Sequence, residues 1–358
     1  MKDFKKIAEK ENVIVAGRNV RLDIYRGLAI ILVAFGHAVQ SRVADFDSNM
    51  VFKAIYMFHM PLFFYICGMV YGIKSQVLYP AEFGGAIKRR AVQLLLPFLA
   101  WYIVNWLNAD NGVGLVDRLK LLYHNPDNGL WFLLVLFFAN VLADIGKLVH
   151  TKYKVRYWGV LAVLVVVVWL DSRHSHVLGK SLLAIHLPFF FFGIFHRTFV
   201  EKLGKLRFIC GGALILAFPF MLASWERNRL FVAGMAPQKS LTLPISPLLK
   251  VMYLFFGVAA NALCAISGMV IFFLLVNVLI RSETSFAQKI KTYLTFIGTR
   301  TLEIYAIHFF FIGTKITGSL LLDSTFAVIS AISLSIVIAE FLIKPIAPLS
   351  LLLLGRWR

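Results

Sequence analysis

The chain has 358 residues, 59% of them hydrophobic and only 15% charged, with a mean hydropathy of +0.78. These values exclude a soluble globular protein and leave the length almost consumed by apolar runs, so no separate soluble catalytic domain is expected. A formal net charge of +19 would point a soluble protein toward nucleic acid, but here Lys and Arg gather between apolar runs, as the positive-inside rule expects.

Residues 1–21 form a basic tail carrying Lys2, Lys5, Lys6, Lys10, Arg18 and Arg21. The tail is too long and too mixed in charge for a signal-peptide start, and no small-residue cleavage site follows, so the first apolar run is expected to be retained. Runs of bilayer-crossing length follow near 24–43, 53–73, 91–108, 130–149, 157–171, 181–196, 208–224, 254–280, 302–321 and 325–343. The fifth and sixth are short. The basic residues favour one side of this pattern, which predicts an all-α bundle of about ten transmembrane helices with both termini cytoplasmic. Residues 22–344 then form the membrane domain and 345–358 a short cytoplasmic segment, too short to span.

The first run carries Asp23, Arg26 and His37. Eleven helical steps of about 100° bring Arg26 and His37 onto one face, roughly 16 Å apart along the axis. Charged and titratable groups within a membrane helix are costly and by default mark a site. Arginine holds an anionic or carbonyl oxygen, and histidine, with an ordinary pKa near 6.5, takes a hydroxyl proton at neutral pH. Asp23, three residues before Arg26, is placed to orient the guanidinium. The alternative is a snorkelling arginine and a histidine that only hydrogen-bonds a neighbouring helix.

Further along, Phe58-His59-Met60-Pro61 begins the second run, where Pro61 should kink or reset the helix. Lys88-Arg89-Arg90 follows Gly84-Gly85 and opens the third; three cations near a helix N-terminus suit a phosphate group, or else a plain positive-inside anchor. Two long outer loops, about 109–129 and 225–247, mix polar and aromatic residues (Asp110, Asp117, Tyr123, His124 and Asp127; Trp225, Glu226, Arg227 and Arg229) that suit a sugar or an ordinary interface. His174 and His176 have the spacing of a metal pair but lack further ligands, and no metal is expected. Cys67, Cys210 and Cys264 form neither a metal-ligand pattern nor a disulfide framework. Phe189 to Phe192 reads as packing. Glu303, Tyr305 and His308 lie within two turns of the ninth run, as interhelical hydrogen-bonding groups or as part of a site. Phosphate-loop, dinucleotide and serine-elbow motifs are absent.

Taken together, these motifs resemble the integral-membrane acyltransferase-3 family over nearly the whole chain. The likeness rests on Leu22-Asp23-x-x-Arg26-Gly27-x-Ala29 followed by His37, on Phe58-His59-Met60-Pro61-Leu62-Phe63-Phe64 leading to Gly68, and on Arg89-Arg90 before Leu94-x-Leu96-Pro97. It extends through Leu130-Trp131-Phe132, Leu187-Pro188-Phe189-Phe190-x-x-Gly193 and Ile304-Tyr305-x-x-His308. The wording around His59 is similar to the fucose 4-O-acetylase-like branch. The resemblance implies transfer of an acyl group, usually acetyl from cytoplasmic acetyl-CoA, to hydroxyls of cell-envelope glycans at a bacterial inner membrane. It implies His37 as the catalytic histidine, Arg26 as its motif partner, and Lys88, Arg89 and Arg90 as ligands of the donor's phosphates. Asp23, Glu303, Tyr305 and His308 would support the site. The acceptor would be a glycan, free or lipid-linked, and the protein would work alone or as an oligomer among membrane lipids, without nucleic acid. Two positions depart from the pattern: Gln93 stands where many members carry a second arginine, and Cys67-Gly68-Met69 replaces Ser-Gly-Phe. Competing readings are succinyl or other acyl transfer to a glucan, lipid or small molecule, and a transporter, against which stands the lack of an internal repeat or paired broken helices.

Overall fold

The computed structural model describes residues 14–15, 18–73, 77–108, 114–124, 126, 130–172, 177–225, 247–313 and 316–356, with side chains described from residue 19 onward except over 247–258. The tail residues 1–13, the loop residues Asp110, Asp127, Glu226, Arg227 and Arg229, and the pair His174 and His176 lie outside them.

The described chain is helical, apart from a two-residue antiparallel pairing of Ile14–Val15 with Arg18–Asn19. The helices, in order, are α1 (Val20–Gln40), α2 (Met50–Tyr56), α3 (His59–Gly72), α4 (Pro80–Arg90), α5 (Leu96–Asn108), α6 (Leu115–His124), α7 (Trp131–Tyr153), α8 (Tyr157–Ser172), α9 (Lys180–Ile194), α10 (His196–Leu203), α11 (Leu206–Ser224), α12 (Pro247–Arg281), α13 (Ser285–Gly298), α14 (Thr301–Ile307), α15 (Leu320–Val337) and α16 (Ala347–Leu354). Among the described residues, eight stretches are long and apolar enough to cross a bilayer: Val20–Gln40, Met50–Gly72, Pro80–Asn108, Trp131–Tyr153, Val177–Ile194, Leu206–Ser224, Ala259–Arg281 and Leu320–Ile343. The protein is an all-α, multi-pass membrane protein.

Three features differ from the expected spans. The third begins eight residues before Lys88, at Pro80, where Tyr79 and Glu82 form the cap. Lys88, Arg89 and Arg90 therefore occupy the last turn of α4, and the chain continues through a wide turn (Ala91–Leu95) into α5. Pro97 explains the wide turn, because its ring cannot donate to, and clashes with, the carbonyl one turn back. The ninth run is not one helix: α14 stops at Ile307, and the chain passes through a tight turn at His308–Phe310. Finally, α13, which lacks a long apolar run, is an additional amphipathic helix with Lys289 and Lys291 among apolar residues.

The chain divides into two compact units. The first comprises residues 1–66, 205–223 and 264–336. The Asn19 side chain caps α1 by accepting from Leu22 N–H at 3.3 Å. α13 lies antiparallel on α1 with backbones nearly touching: a Cβ on Gly27 would strike the Leu294 carbonyl oxygen, and one on Gly298 would strike that of Asp23. The chain then reverses at Thr299–Arg300 and α14 returns along α1. Between α2 and α3, where Pro61 is expected to kink or reset the helix, the chain breaks at Met57–Phe58; the Ile55 carbonyl accepts from Phe58 N–H at 3.2 Å and from His59 Nδ1 at 3.1 Å, and His59 is buried. Before α15, the N–H groups of Ile316, Thr317 and Gly318 and the Thr317 hydroxyl all donate to the buried Asp323 carboxylate.

The second unit comprises residues 67–204, 224–263 and 337–358. Here Gly68 and Gly72 let α3 approach the carbonyls of Phe190 and Ile194 on α9. The C-terminal α16 lies against α5, with Trp101 Nε1 donating to the Leu353 carbonyl at 2.9 Å. Trp225, expected in an outer loop, is buried.

The glycine contacts make a direct prediction. Gly298→Val must push α13 off α1, and its apparent melting temperature in detergent should fall by the equivalent of ~1–3 kcal/mol or more. Gly84→Ala, whose Cβ meets nothing within 4 Å, should leave the melt unchanged or slightly higher. Equal melting of Gly298→Val and wild type would contradict the packing described.

Candidate active site

His37 lies in the last turn of α1, and Gly36 beside it leaves room for the Tyr56 ring of α2, which a Cβ there would meet at 2.9 Å. The Tyr56 hydroxyl donates to Gln40 Oε1 at 2.6 Å and lies 2.9 Å from His37 Nδ1. Because that hydroxyl's proton is engaged with Gln40, its oxygen accepts from His37 Nδ1–H, and Gln40 Oε1 is a second, longer acceptor at 3.3 Å. The hydrogen bonds therefore assign the neutral imidazole a proton on Nδ1 and a lone pair on Nε2, the form a general base requires.

His308 is fully buried at the end of α14, its ring centroid 5.6 Å from that of His37. Its Nδ1 lies 2.9 Å from the carbonyls of both Ile304 and Tyr305. Carbonyls only accept, so Nδ1 carries the proton and Nε2 the lone pair. That Nε2 is buried and has no hydrogen-bond partner among the described residues. Phe309 lies against both rings, 4.5 Å from His37 and 4.2 Å from His308. Glu303 and Tyr305 are buried in α14.

Arg26 sits near the other end of α1. Its Nη1 is 3.5 Å from Asp23 Oδ1, with the arginine side chain 29% exposed and the carboxylate 7%. Arg26 and His37 share one helix, but the eleven helical steps from one to the other keep them roughly 16 Å apart along the axis. The structure thus brings His37 together with His308 rather than with Arg26.

In the second unit, Arg90 differs from its neighbours. Its Nε and Nη2 bind the two oxygens of Asp144 at 2.7 and 3.0 Å, and its Nη1 donates to Asn140 at 2.5 Å. The Tyr71 hydroxyl also donates to Asp144, at 2.5 Å, while Lys147 Nζ and Arg90 Cζ lie 4.1 and 5.0 Å from the Tyr71 ring centroid. The guanidinium fork of Arg90 is thereby engaged within the protein, whereas Lys88 and Arg89 are exposed.

Sequence reasoning missed Tyr56, Gln40, Asn140, Asp144 and Lys147. A signal existed for the last three: they stand at i, i+4 and i+7 in the apolar run 130–149 and so share one helix face. Gln40, three residues after His37, was legible in the same way. Tyr56 was not, because its approach depends on the packing of α2.

A family model described as an acyltransferase domain matches residues 19–343, from the α1 cap through the wide helical turn Ile338–Ile343 that follows α15. The chain belongs to the acyltransferase-3 family. This acyltransferase is also similar to the nodulation protein NolL of Sinorhizobium fredii, at 42% identity over 88 residues, covering 24% of this chain and 23% of that protein. It is 32% identical over 133 residues to the nodulation protein NolL of Mesorhizobium japonicum, covering 35% of each chain. The matched segments thus span about a quarter to a third of these relatives. No solved structure matches the acyltransferase.

Removing one partner of a buried ion pair strands the other. Asp144→Asn should therefore lower the stability of this acyltransferase by about 3–5 kcal/mol in detergent melts, whereas Arg89→Ala should leave the melt unchanged. An unaltered melt for Asp144→Asn would show that Arg90 does not depend on this carboxylate.

Proposed function

We propose that the protein is a membrane O-acetyltransferase that moves acetyl from cytoplasmic acetyl-CoA to a hydroxyl of a cell-surface or exported glycan at a bacterial inner membrane. The observation that carries this reading is the His37 imidazole, its Nδ1–H held by Tyr56 so that Nε2 keeps its lone pair, in a chain of the acyltransferase-3 family.

In this reading His37 Nε2 removes the proton of the acceptor hydroxyl as its oxygen attacks the thioester carbonyl. A C–O bond forms, the C–S bond breaks, and the thiolate leaves with the proton returned by the imidazolium, so the products are an ester and free CoA thiol. Tyr56 and Gln40 hold the ring in the basic tautomer and stabilise the transient imidazolium through Nδ1–H. Arg26, oriented by Asp23, is too far along α1 to touch the same carbonyl, so we assign it to a charged part of the donor. The exposed cations Lys88 and Arg89 are assigned to the donor's phosphates. Arg90 supports them by closing the ion pair that anchors the end of α4. Glu303 and Tyr305 support α14. The acceptor is a free or lipid-linked glycan.

Mass spectrometry of surface glycans from cells with and without the protein tests this reading. The expected result is one acetyl unit on a glycan hydroxyl that appears only when the protein is present. A succinyl or other acyl unit would redirect the donor assignment, and unchanged glycans would reject acyl transfer to glycans. Tyr56→Phe, which removes the nearer of the two acceptors of Nδ1–H, should lower the transfer rate roughly tenfold, equivalent to about 1.4 kcal/mol of transition-state stabilisation, with expression unchanged.

A further inference from the structure

We propose that His308 Nε2 holds the acyl acceptor by a second hydrogen bond, so that the acceptor hydroxyl must have a neighbouring O–H or N–H donor, as in the vicinal diol or acylamino alcohol of a sugar ring. The inference rests on the acyl-transfer reading and deepens it.

A buried polar atom without a partner costs about 1–3 kcal/mol, and such atoms in folded proteins call for a specific explanation. His308 Nε2 is one: the residue is fully buried, Nδ1–H is committed to two carbonyls, and Nε2 has no partner among the described residues. His37 cannot satisfy it while both rings are neutral, because His37 also keeps its proton on Nδ1, engaged with Tyr56 and Gln40. Two imidazoles 5.6 Å apart between centroids therefore offer two acceptors and no proton between them. A single hydroxyl donates only once, whereas adjacent donors on one ring satisfy both nitrogens together. Phe309, against both imidazoles, adds an apolar wall of the kind a sugar's C–H face can cover. His37 takes the proton of the attacking hydroxyl, and His308 accepts from its neighbour without proton transfer.

The test uses full-length protein expressed in cells, with surface glycans read by tandem mass spectrometry and NMR. His308→Asn keeps an N–H where Nδ1–H stands and removes the Nε2 acceptor; His308→Gln places an amide near Nε2. The expected result is at least a tenfold loss of acylated glycan in His308→Asn at unchanged membrane level and melting, with partial recovery in His308→Gln. The wild-type product should carry its acyl group beside a carbon bearing a free O–H or N–H. His308→Asn at half of wild-type activity or more would overturn the inference and leave His308 as a helix-ending residue. So would an acylated position with no neighbouring donor, a readout that holds even if the variants misfold. Absence of any acylated glycan with the wild-type protein would instead remove the acyl-transfer reading, and this inference with it.

Discussion

The close approach of α1 and α13 at Gly27 and Gly298 is the constraint on which the candidate site depends. With hydrogen in place of two side chains, α13 packs its backbone against that of α1. The chain then reverses over Thr299 and Arg300, and α14 returns along α1. Gly298 ends α13 beside Asp23, and after the reversal α14 carries the chain about 10 Å back along α1 to His308. The glycine contact thus sets how far along α1 the second histidine arrives. Larger residues there would displace His308 from His37 without touching either ring.

Two clusters of buried polar groups, one in each unit, are satisfied to different degrees. In the second, Arg90, Asp144, Asn140 and Tyr71 satisfy one another in a closed network, the arrangement expected of a group that holds helices α4 and α7 together. In the first, the hydrogen bonds around His37 and His308 stop short. Both rings are fixed through Nδ1, and the buried His308 Nε2 has no partner among the described residues. A polar group oriented from one side and unpartnered on the other is the condition under which the proposed acceptor would supply the last hydrogen bond.

Much of this architecture was legible in the sequence because lipid imposes a strong pattern. Apolar runs marked most helices, Pro61 marked the break between α2 and α3, and the eleven-residue step put Arg26 and His37 on one helix. α13 escaped because an amphipathic helix with Lys289 and Lys291 has no long apolar run, and its binding face shows only as Gly298 meeting Gly27 across the fold. The break after Ile307 escaped because Phe309, Phe310 and Phe311 continue the apolar composition; at the break the His308 side chain donates to the carbonyls of Ile304 and Tyr305. The pairing of His37 with Tyr56 and His308 depends on contacts between residues far apart in the chain, which local spacing does not encode. By contrast, Asn140, Asp144 and Lys147 were visible as a polar stripe in an apolar run.

The central claim is that the His37 imidazole performs the proton transfer of an acyl-transfer reaction. The most direct measurement is thiol release from acetyl-CoA by purified full-length protein given surface polysaccharide as acceptor, comparing wild type with His37→Ala at matched folding. The account predicts acceptor-dependent release of CoA thiol by the wild type and none above background by the variant. Equal release by both proteins would contradict it.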